Sequence, residues 1–104
     1  MKTKSYVMVR VYLTESEHSA QKLLEYLHES RVRGATLYRG ISGFGASGVM
    51  HRADWLAISG DLPLVLEFTD TPETVEAILP GLLKDVEQGH VVKWPVECVE
   101  ADCI

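Results

Sequence analysis

Residues 5–13 read Ser5-Tyr6-Val7-Met8-Val9-Arg10-Val11-Tyr12-Leu13, and their alternation decides the fold. Val7, Val9, Val11 and Leu13 fall on one side of a strand, and Tyr6, Met8, Arg10 and Tyr12 fall on the other. Successive side chains of an extended chain point to opposite faces, so both faces of this strand carry bulk and both must meet something. One face is purely apolar and reads as core. The other is built from polar-tipped residues.

Working outward, Thr14-Glu15-Ser16-Glu17 fits a capping box, in which hydroxyl and carboxylate satisfy orphan amides at a helix start. Ala20, Leu23, Leu24, Leu27 and Arg31 follow at helical spacing, with Gly34 ending the helix. Ala35 to Ile41 reads as a second strand. It runs into Gly40-Ile41-Ser42-Gly43-Phe44-Gly45-Ala46-Ser47-Gly48, a glycine-rich stretch that opens a long connection. Trp55 to Ser59 and Leu62 to Thr69 read as strand, joined or bulged at Gly60-Asp61, with Pro63 removing one ladder donor.

Thr71-Pro72-Glu73 is a helix start: a hydroxyl cap, a proline at the first helical position and an acid facing the positive helix end. Val75, Ile78, Leu79, Leu82, Leu83 and Val86 form its apolar stripe, and Pro80 is expected to kink it. Gln88-Gly89-His90 closes that helix, and Val91 to Val99 form the last strand. The order β-α-β-β-α-β predicts an α+β ferredoxin-like sandwich, one antiparallel sheet with two helices on one face, as a single domain over 1–104. The face bearing Tyr6, Met8 and Tyr12 has no helix to cover it, which calls for another subunit.

Composition narrows the function. The 104 residues are 46% hydrophobic with charge interrupting every apolar run, which excludes disorder and a membrane-spanning helix. The net charge of −5 with scattered Arg31, Arg33, Arg39 and Arg52 argues against nucleic acid as a partner. Arg10 and the acids that follow it break any signal-peptide pattern, so the expected compartment is the cytoplasm. Cys98 and Cys103 would point to opposite faces of a continuous strand and are read as reduced thiols. The four histidines are too far apart in sequence to form a ligand pair, so no metal site is assigned. No nucleophile with a nearby base is recognisable, and no catalytic residue is assigned.

Gly43-Phe44-Gly45, the Leu62-Pro63 that opens the third strand, and Trp94-Pro95-Val96-Glu97 in the last strand resemble the ordered GFG, LP and PVE elements of PII signal-transduction proteins. The chain is more similar still to the PII-like family called domain of unknown function one-ninety. That likeness rests on Gly34-Ala35-Thr36, Arg39-Gly40-Ile41, Gly43-Phe44-Gly45-Ala46-Ser47, His51, Asp61-Leu62-Pro63 and Asp70-Thr71. The resemblance implies a homotrimer with small-molecule sites in its intersubunit clefts and an extended T-loop, here 45–56, presented to a protein partner such as a membrane transporter. An adenine nucleotide is the ligand class that PII proteins bring. The phosphate-holding Gly-Asp-Gly-Lys turn of PII proteins is cut here to Gln88-Gly89-His90, and Ala101 and Cys103 stand at their arginine positions.

The ligand-binding candidates are therefore Arg39, Ser42, Gly43, Phe44, Gly45, Ser47, His51, Arg52, His90 and Lys93. Glycines let backbone amides approach an anion, hydroxyls add donors, and guanidinium forks hold carboxylate or phosphate at two points. The expected role is a non-catalytic sensor. The alternative is a metal-binding trimer resembling the divalent-cation tolerance proteins, and a small enzyme is the third reading.

Overall fold

The chain runs β1 (Thr3–Thr14), α1 (Ala20–Glu29), β2 (Ala35–Arg39), β3 (Ser42–Phe44), β4 (Met50–Arg52), β5 (Pro63–Asp70), α2 (Pro72–Leu83) and β6 (Val91–Val99). The structure is a computed structural model that describes residues 2–14, 19–44, 62–86 and 90–99, with the backbone alone of 50–52. Four strands form an antiparallel sheet in the order β2-β5-β1-β6, and β3 pairs with β4 in a separate two-stranded ribbon. This is the expected α+β ferredoxin-like sandwich, with both helices packed on one face of the sheet.

The alternation of β1 sets the layers. Val9, Val11 and Leu13 are buried against Leu64, Leu66 and Phe68 of β5, Leu23 and Leu27 of α1, and Val75, Ile78 and Leu82 of α2. Each such side chain contributes roughly 1.5–3 kcal/mol when fully buried. The two helices are also tied together by a polar contact: the Tyr26 hydroxyl donates to the Ile78 carbonyl at 2.9 Å and lies against Gly81, where a side chain would collide with it. Among the described residues no helix is long and apolar enough to cross a membrane.

Several local expectations are corrected. Helix α1 begins at Ala20 with Ser19 at its N-cap, while Thr14 is the last residue of β1; Glu15 to His18 lie outside the described residues. The helix ends at Glu29, and the residue that turns left-handed is Arg31, at φ 61°, rather than Gly34. Ser42 to Phe44, expected in a loop, are a strand opposite Met50 to Arg52. Leu83, read as part of the apolar stripe of α2, is the exposed last residue of that helix. Trp55 to Ser59 lie outside the described residues.

Cys98 is disulfide-bonded, not a reduced thiol. The contrary expectation required a continuous strand to Cys103, whereas β6 is described as Val91–Val99 and Cys103 lies outside the described residues. The start of α2 is as read: Thr71 caps it by accepting from the Thr74 amide at 3.2 Å, and Pro72 occupies the first turn. Just before it, the buried Asp70 accepts from the amides of Arg33 at 2.9 Å and Thr71 at 2.7 Å, which pins the α1–β2 turn to the end of β5.

Candidate functional site

The face of the sheet away from the helices is assembled by register. Arg10 stands opposite Glu67 on β5 and Val92 on β6, Met8 opposite Thr69 and Trp94, and Tyr12 opposite Val65, which in turn faces Tyr38 on β2. Tyr12, Tyr38, Val92 and Trp94 all rank among the exposed large hydrophobic residues of the chain. At the centre, Arg10 donates from Nε and Nη2 to Oε2 of Glu67 at 3.0 and 2.8 Å. Its guanidinium carbon lies 5.2 Å from the centroid of the Trp94 ring, within cation–π range. The Glu67 carboxylate first, and then the Tyr12 hydroxyl, raise the Arg10 pKa above its ordinary value.

Tyr6 was expected to be open on this face and is not. It is buried at 2% exposure, with the Arg33 guanidinium 5.2 Å from its ring centroid, the Lys4 ammonium 5.9 Å away, and its hydroxyl accepting from Nη1 of Arg33. Arg33 therefore folds over the sheet from the α1–β2 turn and leaves its buried Nε without a partner among the described residues. Beside it lies a depression of about 210 Å³ lined by Met8, Arg33, Gly34, Thr36, Glu67, Phe68 and Thr69. A guanidinium, two threonine residues and a thioether share this shallow site with the Glu67 carboxylate, whose charge Arg10 offsets, so the Arg33 end can hold an anion and the Met8 end a flat apolar ring.

The candidates named from the sequence are spread more widely. Arg39 ends β2, and Ser42, Gly43 and Phe44 form β3, opposite Arg52, His51 and Met50 respectively. Phe44 is 68% exposed, and Gly43 approaches Pro63. Gly45 and Ser47 lie outside the described residues, as do the side chains of His51 and Arg52. His90 leads into β6, its carbonyl accepting from the Tyr12 amide at 2.8 Å, and Lys93 pairs with Val9 on that strand. β2 and β6 are opposite edges of the sheet, so three strand spacings, about 14 Å across the sheet, are the least that separates Arg39 from His90 and Lys93 within one subunit.

Arg33, Met8 and Thr69 were not singled out from the sequence as ligand contacts, and Thr36 entered only within Gly34-Ala35-Thr36. Strand alternation places Met8 and Thr36 on the helix-free face. What it does not supply is the register that brings Thr69 beside Met8, nor the path by which Arg33 reaches across the sheet.

The family model DUF190, described as an uncharacterized ACR, matches residues 6–98. The chain belongs to this family. A UPF0166 protein of Methanocaldococcus jannaschii is 28% identical to this DUF190 chain over 90 residues, 82% of each protein. Among solved structures, CPII from Thiomonas intermedia K12, a nitrogen regulatory PII-like protein bound to ADP, AMP and bicarbonate, superposes with a TM-score of 0.73 at 18% identity, covering 95% of this chain and 92% of CPII. The divalent ion tolerance protein CutA1 from Ehrlichia chaffeensis gives a TM-score of 0.59 at 10% identity over 93% of this chain and 84% of CutA1. Identities this low establish the shared PII-like fold and nothing finer.

Proposed function

We propose that this DUF190 chain is a PII-like sensor. In this reading a homotrimer binds a small anionic metabolite, with an adenine nucleotide as first choice, where subunits meet, and reports its occupancy to a protein partner through residues 45–56. No bond is made or broken. The observation that carries the proposal is the depression on the helix-free face, where Arg33 supplies a positive end and Met8 an apolar one. The likeness to CPII, a protein solved with ADP, AMP and bicarbonate, supports the choice of ligand.

Assembly accounts for the spread of the remaining candidates. Cyclic packing of three sheets through Tyr12, Tyr38, Val92 and Trp94 would remove exposed apolar surface and bring one edge of a subunit toward the other edge of its neighbour. Arg39, with His51 and Arg52 on the β3–β4 ribbon, would then share a cleft with His90 and Lys93 of the next subunit. The metal-binding reading rests on the four histidines and two cysteines and on likeness of fold to CutA1; among the described residues no group of three histidine, cysteine, aspartate or glutamate side chains could hold a metal ion.

Calorimetric titration of the purified chain with ADP, AMP and ATP, with and without bicarbonate, tests the ligand class. Saturable binding that weakens in both Arg33→Ala and Thr36→Val, with circular dichroism unchanged, is expected. Silence across all three nucleotides would sink the nucleotide reading, and light scattering that finds one chain per particle would sink the intersubunit cleft.

A further inference from the structure

The two edges of the sheet match each other. β2 and β6 bound it, and among the described residues no strand pairs along the outer side of either. On β2, Gly40 donates to the Pro63 carbonyl at 2.7 Å, which makes that position a hydrogen-bonded pair with β5. Hydrogen-bonded and non-hydrogen-bonded pairs alternate along an antiparallel ladder, so Tyr38 and Thr36 bond inward while Ala35 and Leu37 turn their amides and carbonyls outward. On β6, the Tyr12 amide donates to the His90 carbonyl at 2.8 Å, and the same alternation turns Val92 and Trp94 toward β1 and Val91, Lys93 and Pro95 outward. Pro95 has no amide, and in this position the ladder to β1 loses nothing by it.

The side chains agree with the backbone. Ala35 and Leu37 stand opposite Phe68 and Leu66, and Val91 and Lys93 stand opposite Val11 and Val9, so the outward-bonding residues of both edges carry their side chains on the helix face. Directly paired residues share a face, so the two edges can bond to each other without turning either sheet over. β2 runs along β1 and β6 runs against it, and rotation about an axis along the strands keeps those directions. The β6 of a neighbouring subunit therefore meets β2 antiparallel. Beside β2 on the helix face lies a groove of about 360 Å³ between α1 and the start of the strand. Its floor is Leu24, Val32 and Ala35, half-buried and packed on the core, and its rim carries the exposed Glu25 and Glu29. Among the described residues neither acid forms an ion pair, and neither does Lys93, exposed on β6.

From the matched outward groups, the opposed strand directions and the complementary charges, we infer that β6 of a second copy of the chain adds to β2 and delivers its Lys93 into the groove under α1. The register that pairs Ala35 with Lys93 and Leu37 with Val91 makes two hydrogen-bonded pairs and sets Pro95 beyond the start of β2, where no acceptor waits for its missing amide. The Lys93 stem then lies on Leu24, Val32 and Ala35, and its ammonium reaches Glu25 and Glu29. Two edges that would each offer themselves to a foreign strand are closed by the chain's own. The inference rests on the homotrimer of the sensor reading and deepens it, because Lys93 then shapes the intersubunit cleft by holding the neighbour in place.

The test uses the full chain at a concentration where light scattering finds the wild type assembled. A Glu25→Lys, Glu29→Lys double variant, and separately Lys93→Glu, should each raise the dissociation constant of the particle by about tenfold or more, since each reversal acts at every subunit contact. All three reversals in one chain should restore assembly, with circular dichroism unchanged throughout. Carbodiimide, which joins a carboxylate to an amine as an amide with loss of water, should link Lys93 to Glu25 or Glu29. Within one chain these residues stand at opposite edges of the sheet, so in particles assembled from isotope-labelled and unlabelled chains the linked peptides should join the two kinds. A wild type of one chain per particle overturns this inference and the intersubunit cleft together. An assembled wild type that is indifferent to the reversals, is not restored by the triple variant or gives links only within one chain overturns the inference alone and leaves the sensor reading standing.

Discussion

The amide of Gly40 donates to the carbonyl of Pro63 at 2.7 Å, and a Cβ built on Gly40 would stand 2.8 Å from Cγ of Pro63 and 3.3 Å from its carbonyl oxygen. Pro63 has no amide to return the bond, so the ladder between β2 and β5 closes here on one hydrogen bond and one tight contact. This is a glycine whose missing side chain the fold uses.

Gly40→Ala is therefore expected to cost about 1–3 kcal/mol, the range for forced overpacking. Gly34 is the control, because a Cβ there meets nothing within 4 Å and its backbone is not left-handed. Gly34→Ala is expected to gain about 0.4–1 kcal/mol by restricting the unfolded chain. Urea unfolding of the two variants should move the midpoint in opposite directions, and equal shifts would refute the assignment.

Arg31 carries the left-handed turn at φ 61° that follows α1. An L-residue there is strained by roughly 1–2 kcal/mol, part of which glycine returns as chain entropy. Arg31→Gly should be neutral or stabilising by up to about 1 kcal/mol, while Arg31→Val should lose about 1 kcal/mol or more. Thermal denaturation that ranks valine above glycine would contradict this.

Tyr26 bridges the helices through its bond to Ile78, with Gly81 making room for the ring. Tyr26→Phe should cost about 0.5–1.5 kcal/mol, one hydrogen bond. Gly81→Ala should cost about 1 kcal/mol net, since the new methyl would stand 2.7 Å from Cζ of Tyr26. The two changes share a contact, so the double variant should lose less than the sum. Strict additivity in a double-mutant cycle would show that the ring and Gly81 do not meet.

Tyr12 is 43% exposed in the middle of the helix-free face, on the surface proposed to join subunits. Tyr12→Glu should place a charge in that contact without touching the core beneath. The expected outcome is a particle of one chain's 11.6 kDa by light scattering, with secondary structure retained. A mass unchanged from wild type would move the subunit contact elsewhere.

The layers were legible because they depend on period alone. Val9, Val11 and Leu13 had to share a face, Val75, Ile78 and Leu82 had to line a helix, and Thr71-Pro72 had to start one. What sequence could not supply was where long side chains travel. Tyr6 looks exposed by alternation and is buried because Arg33, at 27 positions' separation, lies over it. Arg31 rather than Gly34 took the left-handed position, since the helix ended sooner than its apolar spacing suggested. Ser42 to Phe44 read as loop because glycine lowers strand propensity, yet pairing with Met50 to Arg52 overrides it. Of the site candidates, the cations at the two sheet edges followed from motif. The depression beside Arg33 needed the register.

The two amides held by Asp70 have a consequence for anyone who would cut or extend this chain. One carboxylate ends β5, opens α2 and holds the turn that leads into β2. A tag, a linker or new termini placed between 31 and 35, or between 70 and 72, would break two junctions by disturbing one. Grafts belong elsewhere, and a permuted version of the protein should keep Arg33 and Thr71 on uninterrupted chain.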